Sequence, residues 1–332
     1  MEEASTSYIV LGVALFMLLN SAAIAVYAER RIAGFIQHRW GPNRVGPFGL
    51  LQPIADVLKL ILKEDVTPTQ GNRTLHSIAP LIPVITALMT VAVIPFGEGL
   101  YATNINAGVI YLLAVASLGV YGVTLGGWAS NSKYSLLGGL RAAAQMISYE
   151  LPLGMAIASV VLFVGSLSVV DIAAAQENWW FIFLNPIGGI IFIIAVFAES
   201  NRTPFDIVEA EQELVGGFHT EYSSMKFGMF FLAEYMHVTI SSMLITTFFF
   251  GSYHLPFAGY WLPEMTPLAK GILDVLVFSA KTAFFMFFFI WVRWTITRFK
   301  FNQIMKLGWS RLLPLSILNF IVIAAILFFI VG

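Results

Sequence analysis

The chain has 332 residues, 58% of them hydrophobic and only 11% charged, with a formal net charge of −1. Soluble proteins carry roughly 25% charged residues, so this composition excludes a water-soluble fold. Cysteine is absent, which removes disulfides, thiolate-held iron–sulfur clusters and cysteine nucleophiles together, so any redox centre has to sit on another chain.

A spanning helix needs about 20 mainly apolar residues to cross roughly 30 Å of hydrocarbon. Eight segments meet or approach that length: 9–27, 79–96, 108–126, 151–170, 181–198, 227–250, 271–292 and 312–331. No hydrophilic block between them is long enough for a soluble domain, so residues 1–332 read as a single all-α, polytopic membrane helix bundle. The first run is preceded by Glu2 and Glu3 rather than by basic residues, and it lacks a small-residue cleavage signature. It reads as an anchor that stays.

Residues 30–78 form the longest loop, and it is patterned. From Leu50 the apolar positions Leu50, Leu51, Ile54, Val57, Leu58, Ile61 and Leu62 make a helical stripe, while Gln52, Asp56, Lys59 and Lys63 line the opposite side. That pattern predicts an amphipathic helix lying in the membrane interface or packed on the bundle surface. Gly41-Pro42-Asn43 and Gly46-Pro47 break the chain just before it. Arg30, Arg31 and Arg39 stand beside this turn, where they could bind lipid head groups or an acidic partner surface.

Basic residues fix the expected orientation, because cytoplasmic loops are enriched in them. Sixteen of the 18 fall in loops on one side of the eight spans. That side is predicted to be cytoplasmic, with both termini periplasmic.

Further along, Glu150 enters the fourth span just before Pro152. The loop 199–226 then crowds Glu199, Asp206, Glu209, Glu211, Glu213 and Glu221 among apolar residues that include Phe205 and Phe218. A solvated charged loop is one reading. The interleaving favours another, in which partly buried carboxylates raise one another's pKa and can hold and exchange protons. Within the spans, Glu234, His237, Asp274 and Lys281 are expensive, and such groups mark proton, ion or substrate paths or else paired ions that fix packing. Lys281 is expected to pair inside the bundle, with Asp274, Glu234 or a residue of an adjoining span as partner. The five histidines have no helical metal-ligand spacing, and there is no glycine-rich phosphate loop or dinucleotide fingerprint. Neither a metal nor a nucleic acid is expected as a ligand.

The stretch Gly49-Leu50-Leu51-Gln52-Pro53-Ile54-Ala55-Asp56, continuing to Lys63-Glu64, resembles one signature of a known family. The stretch Ala198-Glu199-Ser200-Asn201-Arg202-Thr203-Pro204-Phe205-Asp206, followed by Glu209, Glu211, Glu213-Leu214 and Gly217-Phe218, resembles another. Glu29-Arg30-Arg31, Ile147-Ser148-Tyr149-Glu150, Ala233-Glu234-Tyr235 and Arg298-Phe299-Lys300-Phe301-Asn302-Gln303 also look like family segments, in the same order. The family is that of the quinone-site membrane subunit (the H-type subunit) of the proton-pumping NADH:quinone oxidoreductase, respiratory complex I.

The resemblance implies a subunit that forms much of the quinone chamber and joins the redox arm to the membrane arm. Its expected partners are the peripheral quinone-site and iron–sulfur subunits, the small membrane-arm subunits, the antiporter-like subunits and membrane lipid. Quinone is the substrate, and no cofactor is bound by this chain. By the same resemblance Glu150, Glu199, Glu209, Glu211, Glu213, Glu221 and Glu234 belong to an acidic proton path. Arg30, Arg39, Asp56, Arg202, Phe205, Asp206 and Phe218 line or support the chamber, and quinone enters between the first span and the amphipathic helix. The expected location is a bacterial plasma membrane rather than a mitochondrial inner membrane. A proton- or cation-coupled transporter, and the equivalent subunit of a ferredoxin-fed dehydrogenase or membrane-bound hydrogenase, remain as alternatives.

Overall fold

The computed structural model describes residues 2–206, 216–257 and 266–331. Three residues of the expected proton path, Glu209, Glu211 and Glu213, lie outside the described residues. Among the described residues there is no β-strand. Seven of their helices are long and apolar enough to cross a membrane.

Helix α1 (Glu2–Ile36) leads through a short turn at Pro47–Gly49 into α2 (Gln52–Leu62), the predicted amphipathic helix. None of the residues of α2 is buried, and Ile54, Val57, Leu58, Ile61 and Leu62 are exposed along its apolar stripe. Helix α2 is tied to α1 by an Arg30–Asp56 ion pair at 2.6 Å and by the Tyr27 hydroxyl, which donates to the Phe48 carbonyl at 2.9 Å. Short α3 (Arg73–Ile78) and α4 (Leu81–Val91) together make the second span. They are followed by α5 (Gly108–Ala129), α6 (Lys133–Val164) and short α7 (Val169–Ala174).

The fifth expected span is not one helix. It divides into α8 (Phe181–Leu184) and α9 (Pro186–Glu199), and α9 at 14 residues is shorter than a full crossing. Asn185 and Pro186 cause the break. The Asn185 side chain caps the new helix by accepting from the Gly188 N–H at 2.9 Å, and Pro186 supplies the preset first-turn geometry. Helices α10 (Ser224–Phe249) and α11 (Pro267–Thr295) follow, then α12 (Phe301–Leu307), a π-helical turn at Gly308–Leu312, and α13 (Leu313–Val331).

Helix α10 is central because it takes part in both main packing clusters. On one side Val238, Ile245, Phe248 and Phe249 join residues of α5, α6, α9 and α11. On the other, Tyr235, Met236 and Ile240 meet Ala14, Leu18, Ala22 and Ala25 of α1 and Ala87 and Val91 of α4. Small residues on α1 let the two helices approach closely, which is how membrane helices gain packing when no hydrophobic force drives them together. The same surface of α10 carries Glu234 and His237, so packing places both next to neighbouring helices rather than in lipid.

Candidate functional site

A buried ionic cluster forms where α1, α10 and α11 meet the turn after α9. Arg202 is its centre. Its Nε lies 2.8 Å from Glu234 Oε1 and its Nη1 lies 3.3 Å from Glu29 Oε2. Glu29 Oε1 is 2.7 Å from Arg293 Nη1, while the Tyr235 hydroxyl donates to Glu29 Oε2 at 2.9 Å. The Arg202 guanidinium also lies 4.3 Å from the centre of the Tyr235 ring, a cation–π contact. Two carboxylates and two guanidiniums thus balance one another in a region from which bulk water is excluded, the condition under which buried ions are tolerated.

The turn that presents Arg202 is itself pinned. The side-chain amide of Gln145 on α6 donates to the carbonyls of Ala198 and Phe205, at 2.8 and 2.9 Å, and to Asn201 Oδ1 at 3.1 Å. Asn201 adopts a left-handed backbone with φ of 51°, a conformation asparagine accepts more readily than most residues. Phe205 packs between the rings of Tyr149 and Phe299, and Asp206 Oδ2 faces Arg298 Nη2 at 3.4 Å.

Beside this cluster lies a cavity of about 160 Å³ between α4, α5, α9 and α10. Its polar lining includes Glu199, Glu234, His219 and His237, and Phe218 and Phe230 are among its apolar walls. Glu234 therefore has two neighbours, the cavity on one side and Arg202 on the other. Glu150 accepts a hydrogen bond from Ser117 and is close enough to Glu199 for their charges to interact. His219, in the loop before α10, has its pKa pushed down to about 4 by burial, so it is neutral at pH 7. The cavity can hold water, and carboxylates that face a shared wet space can pass protons.

A model of the NADH dehydrogenase family matches residues 9–324. The chain belongs to this family. Relatives of similar length include NADH-quinone oxidoreductase subunit 8 of Rhodothermus marinus, 56% identical over 322 residues covering 93% of this chain and 94% of the relative. The H subunit of NADH-quinone oxidoreductase from Salinibacter ruber is 55% identical, covering 92% of each chain. The H 1 subunit of the same enzyme from Geobacter metallireducens is 50% identical over 94% of this chain and 93% of the relative.

In this member of the NADH dehydrogenase family, the structure brings Glu199, Glu234 and His237 around the cavity, with Phe218 on its wall, while Glu150 stands outside the lining, near Glu199. Arg202 joins the ionic cluster. Arg30 and Asp56 pair with each other on the α2 side, and Arg39 is exposed and bonded to Gln37 at 2.6 Å. Glu221 is exposed three residues before α10 begins.

Lys281 is paired inside the bundle, at the end of an adjoining span and not with Asp274 or Glu234. Its ammonium donates to the backbone carbonyls of Phe250, Ser252 and His254, at 2.8, 2.9 and 2.6 Å, and stands 4.4 Å from the Trp180 ring. The reason is positional, because Lys281 reaches the carbonyls left unpaired where α10 ends, and a cation suits that end of a helix. Asp274 is occupied elsewhere, accepting the Glu98 N–H at 3.2 Å. Glu234 is taken by Arg202.

Three members of the ionic cluster escaped the sequence reading as site residues: Glu29, Tyr235 and Arg293. A signal for Glu29 was present. Ala14, Leu18, Ala22 and Ala25 are all buried at helical spacing, and the next position on that stripe is Glu29. On α11 the buried positions Phe278, Thr282, Phe285 and Phe289 lead in the same way to Arg293.

Proposed function

We propose that the chain is the H-type membrane subunit of NADH-quinone oxidoreductase, complex I, and that it couples quinone chemistry to proton movement. Family membership and the names of its relatives support the subunit assignment. The observation that carries the coupling role is the position of Glu234, shared between the Arg202 ion cluster and the cavity lined by Glu199, His219 and His237. A charge change near Arg202 would alter how firmly Glu234 is held as an anion, and so whether it gives a proton to the cavity or takes one from it.

In this reading the acidic path runs through Glu150, Glu199 and Glu234. It is joined from the loop side by Glu209, Glu211, Glu213 and Glu221. The quinone chamber lies towards Arg30, Arg39, Asp56, Arg202, Phe205, Asp206 and Phe218. Quinone enters between α1 and α2, whose apolar stripe faces outward and whose opposite side is tied to α1 through Arg30 and Asp56. Electrons arrive from an iron–sulfur subunit bound at the basic end, and the other membrane-arm subunits, including the antiporter-like ones, pack alongside. The chain sits in a bacterial plasma membrane with its basic loops in the cytoplasm.

The test is Glu234→Gln, which keeps shape and removes ionisation. In the assembled complex, NADH-driven quinone reduction and the proton gradient are expected to fall at least about tenfold together. Normal turnover with a normal gradient would remove Glu234 from the path. Recovery of a complex without a flavin NADH module would move the assignment to a ferredoxin-fed relative, and cation transport by the chain alone in liposomes would replace it with a transporter.

A further inference from the structure

The π-helical turn between α12 and α13 has no part in the acidic path, yet it builds a site of its own. Residues 296–332 contain Arg298, Lys300, Lys306 and Arg311 and no acidic residue. Arg298 is directed to Asp206. Among the described residues neither Lys306 nor Arg311 has a carboxylate at salt-bridge distance.

In a regular α-helix, residues five apart point about 140° away from each other. The turn Gly308–Leu312 changes this, because its backbone bond runs from the Leu313 N–H to the Gly308 carbonyl and inserts one extra residue. Arg311 is thereby rotated onto the face of Lys306. The insertion is held by α6. The Tyr149 hydroxyl donates to the Ile304 carbonyl at 3.0 Å, its ring lies against Gly308, and the Trp309 indole donates to Ser148 Oγ at 3.0 Å. A π-turn anchored in this way is often found at a functional site.

The result is a cleft of about 380 Å³ lined by Phe299, Gln303, Lys306, Leu307 and Arg311. Gln303 uses its side-chain oxygen to accept the Lys300 N–H at 3.0 Å, so its NH₂ group remains as a donor. An ammonium, a guanidinium and an amide therefore converge with two apolar walls. From Arg311 an exposed apolar stripe continues along α13 through Leu315, Leu318, Val322 and Ile326, at intervals of three and four residues. Trp291, Trp294 and Trp309 are exposed at the same end of the bundle, and tryptophan favours the level of the lipid head groups.

We propose that Gln303, Lys306 and Arg311 bind the phosphate of an anionic phospholipid whose acyl chain lies along the Leu315–Ile326 stripe of α13. Two cations without acidic partners match a phosphate, and guanidinium and ammonium are the groups that hold one. The apolar stripe selects a lipid over a soluble anion, because it begins where the phosphate would sit and runs into the membrane.

The test uses the full chain in its own membranes, extracted in mild detergent with whatever subunits accompany it. The preparation is stripped of lipid and titrated with phosphatidylglycerol, phosphatidylcholine or inorganic phosphate, and bound lipid is read by native mass spectrometry. One retained phosphatidylglycerol per chain is expected, outcompeting phosphatidylcholine and undisturbed by millimolar phosphate. Lys306→Gln and Arg311→Gln should each weaken retention by about tenfold, since a charge-assisted bond is lost. Lys306→Arg should keep it, and Leu318→Asn should weaken it while leaving the phosphate donors intact. Equal retention in the wild type and both charge-removing variants would overturn the proposal. So would displacement of the lipid by phosphate, or cross-linking of Lys306 to a carboxylate of another subunit.

Discussion

Arg202 sits between the carboxylates of Glu29 and Glu234, whereas Lys281 is surrounded by the carbonyl oxygens of Phe250, Ser252 and His254. The two sites lie about 24 Å apart along α10. Both bury a cation in the bundle, but only the first uses groups that can change charge. A carboxylate partner can gain a proton and release its cation, while a carbonyl dipole is fixed by the chain. The Arg202 cluster is therefore a place where a chemical event can be felt, and the Lys281 cage is a place where a helix end is held.

From that contrast the largest loss is expected from Arg202→Gln. Glu29 and Glu234 would then face each other with their shared guanidinium gone, and breaking a buried ion pair in this way costs about 3–5 kcal/mol. We expect loss of assembled complex, seen on native gels. Arg202→Lys should rescue little, because a point charge cannot address both carboxylates as the guanidinium fork does. Wild-type assembly in Arg202→Gln would mean that the cluster is not a unit.

Lys281→Met is the matching test at the other site. It leaves three carbonyls without their donor in a setting where each unsatisfied group costs about 1–3 kcal/mol, partly offset if water enters. The complex should assemble and lose thermal stability, while the ratio of protons pumped to electrons transferred stays normal. A changed ratio would place Lys281 in proton transfer and dissolve the distinction between the two sites.

A pH measurement sharpens the comparison from the cavity side. His219 has an ordinary value of 6.5 that burial lowers to about 4. Between those values the unfolded chain binds the proton and the folded one does not, so stability is complete above pH 6.5 and declines as pH falls towards 4. The melting temperature should drop over that window, and His219→Gln should flatten the drop without changing behaviour above pH 7. Parallel profiles for the two proteins would show that His219 is not held neutral by its surroundings.

Much of this was legible in the sequence because membrane helices announce themselves by composition. The amphipathic α2 and seven of the eight predicted spans needed only periodicity and length. The break at Asn185–Pro186 was missed because the continuous apolar run concealed it, although asparagine before proline is a helix-capping signal. Glu29 and Arg293 were hidden for a different reason, because charges at span ends look like topology signals until the buried stripe leading to them is traced. That Lys281 pairs inside the bundle was legible, but not that its partners are backbone carbonyls, whose position depends on where α10 stops. Ala25 on α1 faces the gap beside Glu29, Arg202 and Tyr235. Substitution there disturbs the ion cluster before it disturbs any passage.

The smallest effect concerns how α2 is held to the rest. Ser223 Oγ donates to the Glu64 carbonyl and accepts the Val66 N–H, both at 3.0 Å, and Ser224 Oγ donates to the Leu60 carbonyl at 3.0 Å. Lys226 pairs with Asp65 at 2.9 Å. The end of α2 and the four residues after it are thus stapled to the start of α10, the helix that carries Glu234. Ser223→Ala removes two bonds to partly exposed groups and should cost about 1 kcal/mol. Assembly and turnover with short, soluble quinones should be unchanged. Amide exchange at 63–66 should rise, and the apparent KM for long-tailed quinones should increase about twofold, because a looser α2 gives the tail a less defined wall. If exchange rises while both quinones behave as before, α2 is held for packing alone and the entry route lies elsewhere.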